Sequence, residues 1–479
     1  MRKISKNLTE NLNALQCDYL NAVDFTKVQI KVGGIDTLIV SLDGQIDKQY
    51  LSVGVIGKLV QVNEIPQNIN IFDYVKNTVL AVAEHIELVN IEDINEKIML
   101  GFAVVLFDGC DKGISFGVQG YQFRGVQEPD NESMLRGSKE GFVEAIMINM
   151  SLIRRRLRTT DLKFERMIIG SQSQTPALIC YLENRVSKEI LDKIKLALHA
   201  IDLKTVMAAG YLPGFLGKNG VFSGVGITER PDTVCGKIEE GRVAILIDGT
   251  PTAIVVPYLF AENFQCLDDY ANKPVYASYI RILKYISFLI AVFLPAIYVA
   301  IIGTRPELMP DSILIKIAQE EIKTPFNVLW EIIFVNILYE IMREASLRAP
   351  KVLGQSVSIV GALVIGDMAV SSSLIGAPSL IVIALSAIAG YSVPKLYESL
   401  ALLRFTLIFV AGILGTWGLI FACVFILYSL CSQSSFGLPI TTPISPFNLK
   451  SMRDVLIRAP WKVLTNNRSK VQDMPGKEC

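Results

Sequence analysis

The segment NMSLIRRRLRT, residues 149–159, places four guanidinium groups, Arg154, Arg155, Arg156 and Arg158, within five positions. Guanidinium forks grip phosphate or carboxylate through paired hydrogen bonds, so the cluster suits a polyanion, a lipid head group or acids of the same assembly. Upstream, Phe142, Ile146, Met150, Ile153 and Leu157 recur at helical spacing, which predicts a helix over 139–157 with this stripe toward a core and Arg154, Arg155 and Arg158 turned away from it. Two readings stay open. The arginines are solvated cations at the negative end of a helix dipole, worth about 0.3–1 kcal/mol each, or they clamp one lobe or subunit to another, with Glu128, Asp130, Glu132, Glu140 and Glu144 as the acids. A lipid-facing patch fits less well, because the apolar segments are far away in sequence.

A second set of chemical groups sits in FNVLWEIIFVNILYEIMREASLR, residues 326–348, where Glu331, Asn336 and Glu340 interrupt an apolar helical run. A charge at the centre of a lone lipid-exposed helix costs about 2.5–3.5 kcal/mol. This helix therefore lies at the membrane interface, or protein or water covers it. At about 100° per residue, Glu331 and Glu340 fall on opposite sides, whereas Asn336, Glu340 and Arg343 share a face. In VLGQSVSIVGALVIGD, residues 352–367, Gly354, Ser358, Gly361 and Ile365 form one line, with Gln355, Ala362 and Gly366 beside it. Small and hydroxyl side chains on one helix face serve close packing or line a narrow conduit; composition leaves both open.

Other chemistry finds no support. The histidines, His85 and His199, stand at no ligand spacing, and the eight cysteines include no CxxC pair, so neither a metal site nor a disulfide framework is expected. GYLPGFLGKN fails as a phosphate loop at Leu212 and Asn219. No nucleophile stands beside a base, so neither enzymatic activity nor a cofactor is expected.

The elements that must position these groups follow from charge and hydropathy. With 46 basic and 46 acidic residues, the chain is a poor match for nucleic acid. A mean hydropathy of +0.41 with 19% charged residues is too apolar for an ordinary soluble protein. Charges recur up to about residue 278, but none occurs over 285–304 or 405–449, and Asp367 alone interrupts 352–394; a crossing helix needs about 20 apolar residues. The front half alternates strands (27–32, 36–42, 99–109, 113–118, 166–170, 176–183 and a hairpin at 241–257) with helices (71–84, 139–157, 187–200), and shows no internal repeat at this level. The expected fold is an α/β cytosolic N-terminal region in two small lobes, 1–125 and 126–278, meeting in the loop 120–137. An α-helical polytopic membrane domain follows over 279–430, with four to six membrane helices, and then a tail over 431–479. The N-terminus, MRKISKNLTENLNALQ, has no apolar signal region, so the front half is expected to stay in the cytosol. The side of the tail stays open: its cations favour the inside, while a count of five crossings would put it outside.

Four stretches, EPDNESMLRGSKEGFVEAIMINMSLIRRRLRT, GRVAILIDGTPTAIVVPYLF, LGQSVSIVGALVIGD and SSFGLPITTPISPFN, stand in the same order as in the A subunit of the GerA-type spore germinant receptors, which the chain resembles over residues 50 to 448. The resemblance implies a multi-pass protein of the spore inner membrane. It also implies a transporter-like B subunit that senses the nutrient, a lipoprotein C subunit, and self-association into a ring around a nutrient-gated cation channel. On that reading Gly354, Gln355, Ser358, Gly361, Ala362 and Ile365 line the pore, and Glu331 and Glu340 set cation preference, although Asn336 stands where an acid is expected in many relatives. Arg154, Arg155 and Arg158 would meet the acids of 128–144, among them Glu128, Asp130 and Glu132, between neighbours. The runners-up are an ion-coupled secondary transporter and a non-conducting membrane scaffold that relays nutrient binding.

Overall fold

The computed structural model describes residues 2–66, 69–80, 85–120, 129, 132, 134–217, 220–350, 359, 361, 366–449 and 451–466. Its soluble half holds two five-stranded sheets: β1 (Phe25–Val32), β2 (Ile35–Leu42), β3 (His85–Leu88), β4 (Phe102–Phe107) and β5 (Gly113–Gly117), then β6 (Leu162–Ile169), β7 (Thr175–Leu182), β8 (Gly226–Thr228), β9 (Val243–Ile247) and β10 (Ala253–Val256). Strands and helices alternate along the chain as expected, but every ladder between named strands is antiparallel. Helices cover both faces of each sheet, so runs such as VAILI of β9 (Val243–Ile247) are buried at every position, and strict alternation is lost.

The sheets repeat one another. Their orders are β1-β2-β4-β5-β3 and β6-β7-β9-β10-β8, the same topology twice. The helices that precede them, α1 (Leu8–Asp18) and the one at Ile146–Arg156, start in the same way. Asp108 accepts the Leu8 amide at 3.1 Å and Asp248 the Ile146 amide at 3.1 Å. Gly109 donates to the Lys6 carbonyl and Gly249 to that of Glu144, each at 2.8 Å. Asn11 folds back on Ser5 as Asn149 does on Val143. Gly109 and Gly249 both need positive φ, 82° and 80°, which glycine adopts freely. The expectation of no internal repeat is corrected: LFDG at 106–109 and LIDG at 246–249 mark equivalent turns that short sequence windows do not connect.

The expected helix over 139–157 is shorter. It begins at Ile146, because Asn149 and Asp248 hold residues 143–146 in a capping loop that carries Phe142 into the core instead. The segment 71–84 gives a helical run over 71–79, and His85–Leu88 forms β3. The joint at 120–137 and the residues Glu128 and Asp130 lie largely or wholly outside the described residues.

The helical half contains α helices at Pro274–Thr304, Asp311–Glu321, Val328–Arg348, Ala377–Tyr391 and Tyr397–Ser432. Two stretches, Pro274–Thr304 and Pro394–Ser432, are long and apolar enough to cross a membrane. The second is not one straight rod. Gly415 adopts φ 62°, ψ −150°, and the halves on either side each run about 27 Å, close to the roughly 30 Å hydrocarbon core. Contacts fix the direction of the long described helices. Pro274–Thr304 starts beside the soluble half and ends with Thr304 against Gly415. Val328–Arg348 starts with Leu329 against Gly412 and Glu331 against Gly376, then reaches Tyr397 and Arg404 through Glu340. After Gly415 the chain returns to the soluble side, where Gln433 meets Gly220 and the Ser435 hydroxyl donates to the Gly224 carbonyl at 2.7 Å. Leu438 joins the core under the second sheet. The tail therefore shares a side with the soluble half.

The two sheets are joined by Arg154. This side chain is 1% exposed, as is Asp24 ahead of β1, and its Nε and Nη2 clasp the Asp24 carboxylate at 2.8 and 2.9 Å. Nη1 donates to the Thr159 and Leu162 carbonyls. Replacing Asp24 with Leu while Arg154 stays in place should cost about 3–5 kcal/mol, the range for stripping one partner from a buried pair. The double replacement Asp24→Leu with Arg154→Met should recover most of that loss, as read from denaturant unfolding of the full chain in detergent.

Candidate functional site

Two polar centres are built at strategic places, one inside the helical half and one at its junction with the soluble half. The inner centre is organised by Arg404, seven residues into the last long helix and 0% exposed. Its Nη2 pairs with Glu340 on Val328–Arg348, and its Nη1 donates to the Ser386 hydroxyl at 3.2 Å. Ser386 in turn donates to the Ala291 carbonyl at 2.8 Å. The Tyr397 hydroxyl reaches both Glu340 oxygens at 3.0 Å, and Arg343 lies over the Tyr397 ring at 3.2 Å. The guanidinium of Arg404 also lies 5.3 Å from the Tyr339 ring centre. Four helical segments thus meet through one ion pair.

The expected membrane acids therefore differ in kind. Glu340 is half-buried and neutralised by Arg404. Glu331, 2% exposed, accepts the Gly376 amide, and among the described residues no cation pairs with it. Asn336 is 2% exposed, with an unpartnered side-chain oxygen. Protein covers the face of this helix that carries Glu331 and Asn336, whereas Trp330, Phe334, Ile337 and Ile341 are exposed. Arg404 was missed, although the signal was present: it is the last charge before the uncharged run that starts at Phe405.

Of the small-residue line, Gly361 is described. It is helical and half-buried, and a Cβ there would collide with the Met342 thioether, so at this position the small residue meets a neighbouring helix. Gly354, Gln355, Ser358, Ala362 and Ile365 lie outside the described residues.

The arginine cluster separates into different roles. Arg154 is not turned to solvent as its helical phase suggested; the corrected partner is Asp24, from the other sheet's segment. Arg155 and Arg156 both reach Glu140 at 2.5 Å. Burial alone would raise the Glu140 carboxyl, but the two guanidiniums outweigh it and hold it below the usual range. Arg158 is exposed, with its Nε on the Arg155 carbonyl. Glu132 lies away from all four: it takes the Thr228 hydroxyl and the Glu229 amide, and pairs with Lys395 at 3.1 Å.

The junction centre lies where β10, the base of Pro274–Thr304, the corner before Tyr397 and the tail converge. Glu262, 5% exposed, meets Lys237 at 2.9 Å and Arg242 at 2.5 Å. Burial works to raise its carboxyl, and the two cations prevail, leaving it below the ordinary range. Arg281, 0% exposed, donates to Asp269 and to the carbonyl and carboxylate of Asp454, each at 2.7 Å. Tyr270 and Gln265 also bond Asp454 at 2.6 Å, and the Arg458 amide donates to the Ser278 hydroxyl oxygen at 3.0 Å. The tail is thereby fastened across the base of the first long apolar helix, a role the sequence reading did not assign to it. Among the described residues no group of His, Cys, Asp and Glu could hold a metal.

Comparison with known proteins adds to this geometry. The family described as Bacillus/Clostridium GerA spore germination protein matches residues 11–470. An uncharacterized membrane protein of Bacillus subtilis (strain 168), YfkQ, is 33% identical, over 97% of this chain and 91% of the relative. Spore germination protein KA of the same organism is 32% identical, over 96% and 85%, and spore germination protein A1 is 34% identical, over 77% of each. Among solved structures, the N-terminal domain of the A subunit of the Bacillus megaterium spore germinant receptor GerK3 aligns with 54% of this chain and 97% of that domain, at 25% identity and a TM-score of 0.43.

The inner pair gives an asymmetric expectation. Glu340→Leu leaves the 0%-exposed Arg404 unpaired and should lower the unfolding midpoint in detergent more than Arg404→Leu, which leaves a half-buried carboxylate that can shed its charge by taking up a proton. Equal losses would mean that the pair is not the support of the four-segment contact.

Proposed function

This chain belongs to the Bacillus/Clostridium GerA family of spore germination proteins, and from that premise we propose that it is the A-type subunit of a nutrient germinant receptor that self-assembles into a nutrient-gated cation channel. In this reading it resides in the spore inner membrane with its N-terminal lobes in the cytosol, and works with a transporter-like B subunit and a lipoprotein C subunit. The observation that carries the reading is the inner polar centre: a charged, hydrogen-bonded network between helices that are apolar elsewhere, at a depth where ionisable groups are costly and mark function.

The helix directions support an even number of passages. Val328–Arg348 ends on the soluble side, and Gly376 lies on the far side, which favours an even count within the expected four to six. Glu340, already matched by Arg404, is a lesser candidate for attracting cations than Glu331. The line Gly354, Gln355, Ser358, Gly361, Ala362 and Ile365 is proposed to face the shared axis. In its favour is the absence of any charge over 352–366. Arg158, exposed on its helix, is the arginine best placed to meet a neighbouring subunit.

A second reading has one observation on its side: Gly361 packs against Met342, as it would in a non-conducting scaffold whose small residues serve only helix contact. Bulky replacements separate the two. Ser358→Trp and Ala362→Trp should change the release of monovalent cations from spores on nutrient addition if the line faces the conduit. Unchanged release from a normally assembled receptor would favour the scaffold.

A further inference from the structure

The junction centre surrounds a cavity of about 650 Å³, within the range of small-molecule sites. Its walls come from four parts of the chain that the fold otherwise keeps apart: the second sheet with Tyr258, the base of Pro274–Thr304, the corner at 392–395, and the tail with Trp461. Nothing in the channel reading requires an open chamber here, where the tail and soluble lobe would gain contacts by closing it.

The charge pattern restricts what fits. Most carboxylates on the walls already have cations: Asp232 is held by Arg230, Glu239 by Arg185, Glu240 and Glu262 by Lys237 and Arg242, and Asp454 by Arg281. A net anion would meet no surplus of cations, and Asp268, for which no cation is described, is engaged by the Leu135 and Arg136 amides. One pair differs from the others. Lys395 and Glu132, at 3.1 Å and with side chains 30% and 18% exposed, come from opposite walls. The ammonium has three donors and this contact uses one; the carboxylate offers about four lone-pair sites, and those described are taken by Lys395, Thr228 and Glu229. Both therefore retain capacity toward the chamber. The rings of Tyr258, Tyr270 and Trp461 also line it, surfaces suited to an apolar body or an ammonium face.

The geometry points to a binding site for a net-neutral zwitterion with an apolar portion, its acid group on Lys395 and its ammonium on Glu132. Such a ligand inserts into the Lys395–Glu132 pair and ties the corner before Tyr397 to the soluble lobe. The same chemistry has two sources: a phosphoethanolamine-type lipid head group entering from the membrane surface, or a free amino-acid-like zwitterion entering from water. The site needs the cavity alone and holds whether or not the assembly conducts ions.

The test uses the full chain in phosphatidylglycerol nanodiscs, which lack any zwitterionic lipid. Glycerophosphoethanolamine and L-leucine are titrated separately, with ethanolamine and glycerol phosphate as half-molecule controls, and the unfolding temperature is followed. At least one zwitterion should raise it saturably, and neither half-molecule should do so at the same concentration. Lys395→Met and Glu132→Gln should each shift the midpoint about tenfold or more, the scale of one charge-assisted hydrogen bond. Should either variant fail to fold, the contrast between zwitterions and half-molecules on the unaltered chain still decides. A response to glycerophosphoethanolamine that is abolished in discs already holding phosphatidylethanolamine assigns the lipid source; a response to L-leucine alone assigns the soluble one. Absence of a saturable rise with both zwitterions, half-molecules that act equally, or folded variants that bind like the parent would each overturn the assignment. Ion flux is not measured, so failure of the channel reading leaves this result untouched.

Discussion

An arginine removed from water must be matched where it stands, because its charge cannot be shed by deprotonation. Among the described residues five guanidiniums stand at 1% exposure or less, Arg154, Arg242, Arg281, Arg404 and Arg458, and each sits where separate parts of the fold meet. Arg154 joins the two sheets through Asp24. Arg242 fixes Glu262 beneath the junction, and Arg281 gathers Asp269 and Asp454 at the base of the first long helix. Arg404 draws Glu340 into the helical half, and Arg458 lies against the Tyr270 carbonyl and the Trp461 ring. Apolar packing fills the interior of each part, but it is non-directional. The guanidinium contacts specify which part sits against which.

That division explains why the helical half can be both apolar and specific. Between lipid-like surfaces there is little hydrophobic gain in choosing one helix face over another. Pairing Arg404 with Glu340, and Ser386 with the Ala291 carbonyl, makes one arrangement satisfied and leaves alternatives with stranded polar groups. Gly415 adds a second constraint: a residue with φ 62° that has Thr304 against its Cα turns the chain where a Cβ would not fit.

Much of this was legible in the amino-acid order. The strands expected at 27–32, 36–42 and 176–183 and the hairpin at Asp248–Gly249 followed from periodicity and turn residues, whereas the long helices start earlier, at Pro274 and Tyr397, than the uncharged runs at 285 and 405 that marked them. The duplication of the soluble sheets did not. It is carried by backbone captures, Asp108 to Leu8 and Asp248 to Ile146, whose partners lie 100 and 102 residues apart, while the surrounding side chains have diverged. Long-range ion pairs escaped for the same reason: nothing near Arg154 in sequence indicates Asp24, 130 residues earlier. The break at Gly415 was hidden because the residues on both sides are equally apolar, and hydropathy cannot separate one long helix from two that reverse. Glu331 and Glu340 stand out in the sequence as acids within an apolar run, yet only packing distinguishes the acid that has a cation from the one for which none is found among the described residues.

The clasp between Arg281 and Asp454 spans 173 residues, and this separation has a kinetic meaning. A ribosome delivers the first apolar helix long before the segment that neutralises its basal guanidinium. Until then Arg281 has Asp269 alone, and the soluble lobes stand on a helix whose foot is unsecured. Closure of the junction is therefore among the last events of biogenesis, after every intervening helix has been made, so a chain interrupted before Asp454 leaves the ribosome with its helical hairpins complete and its sheet-bearing lobes undocked.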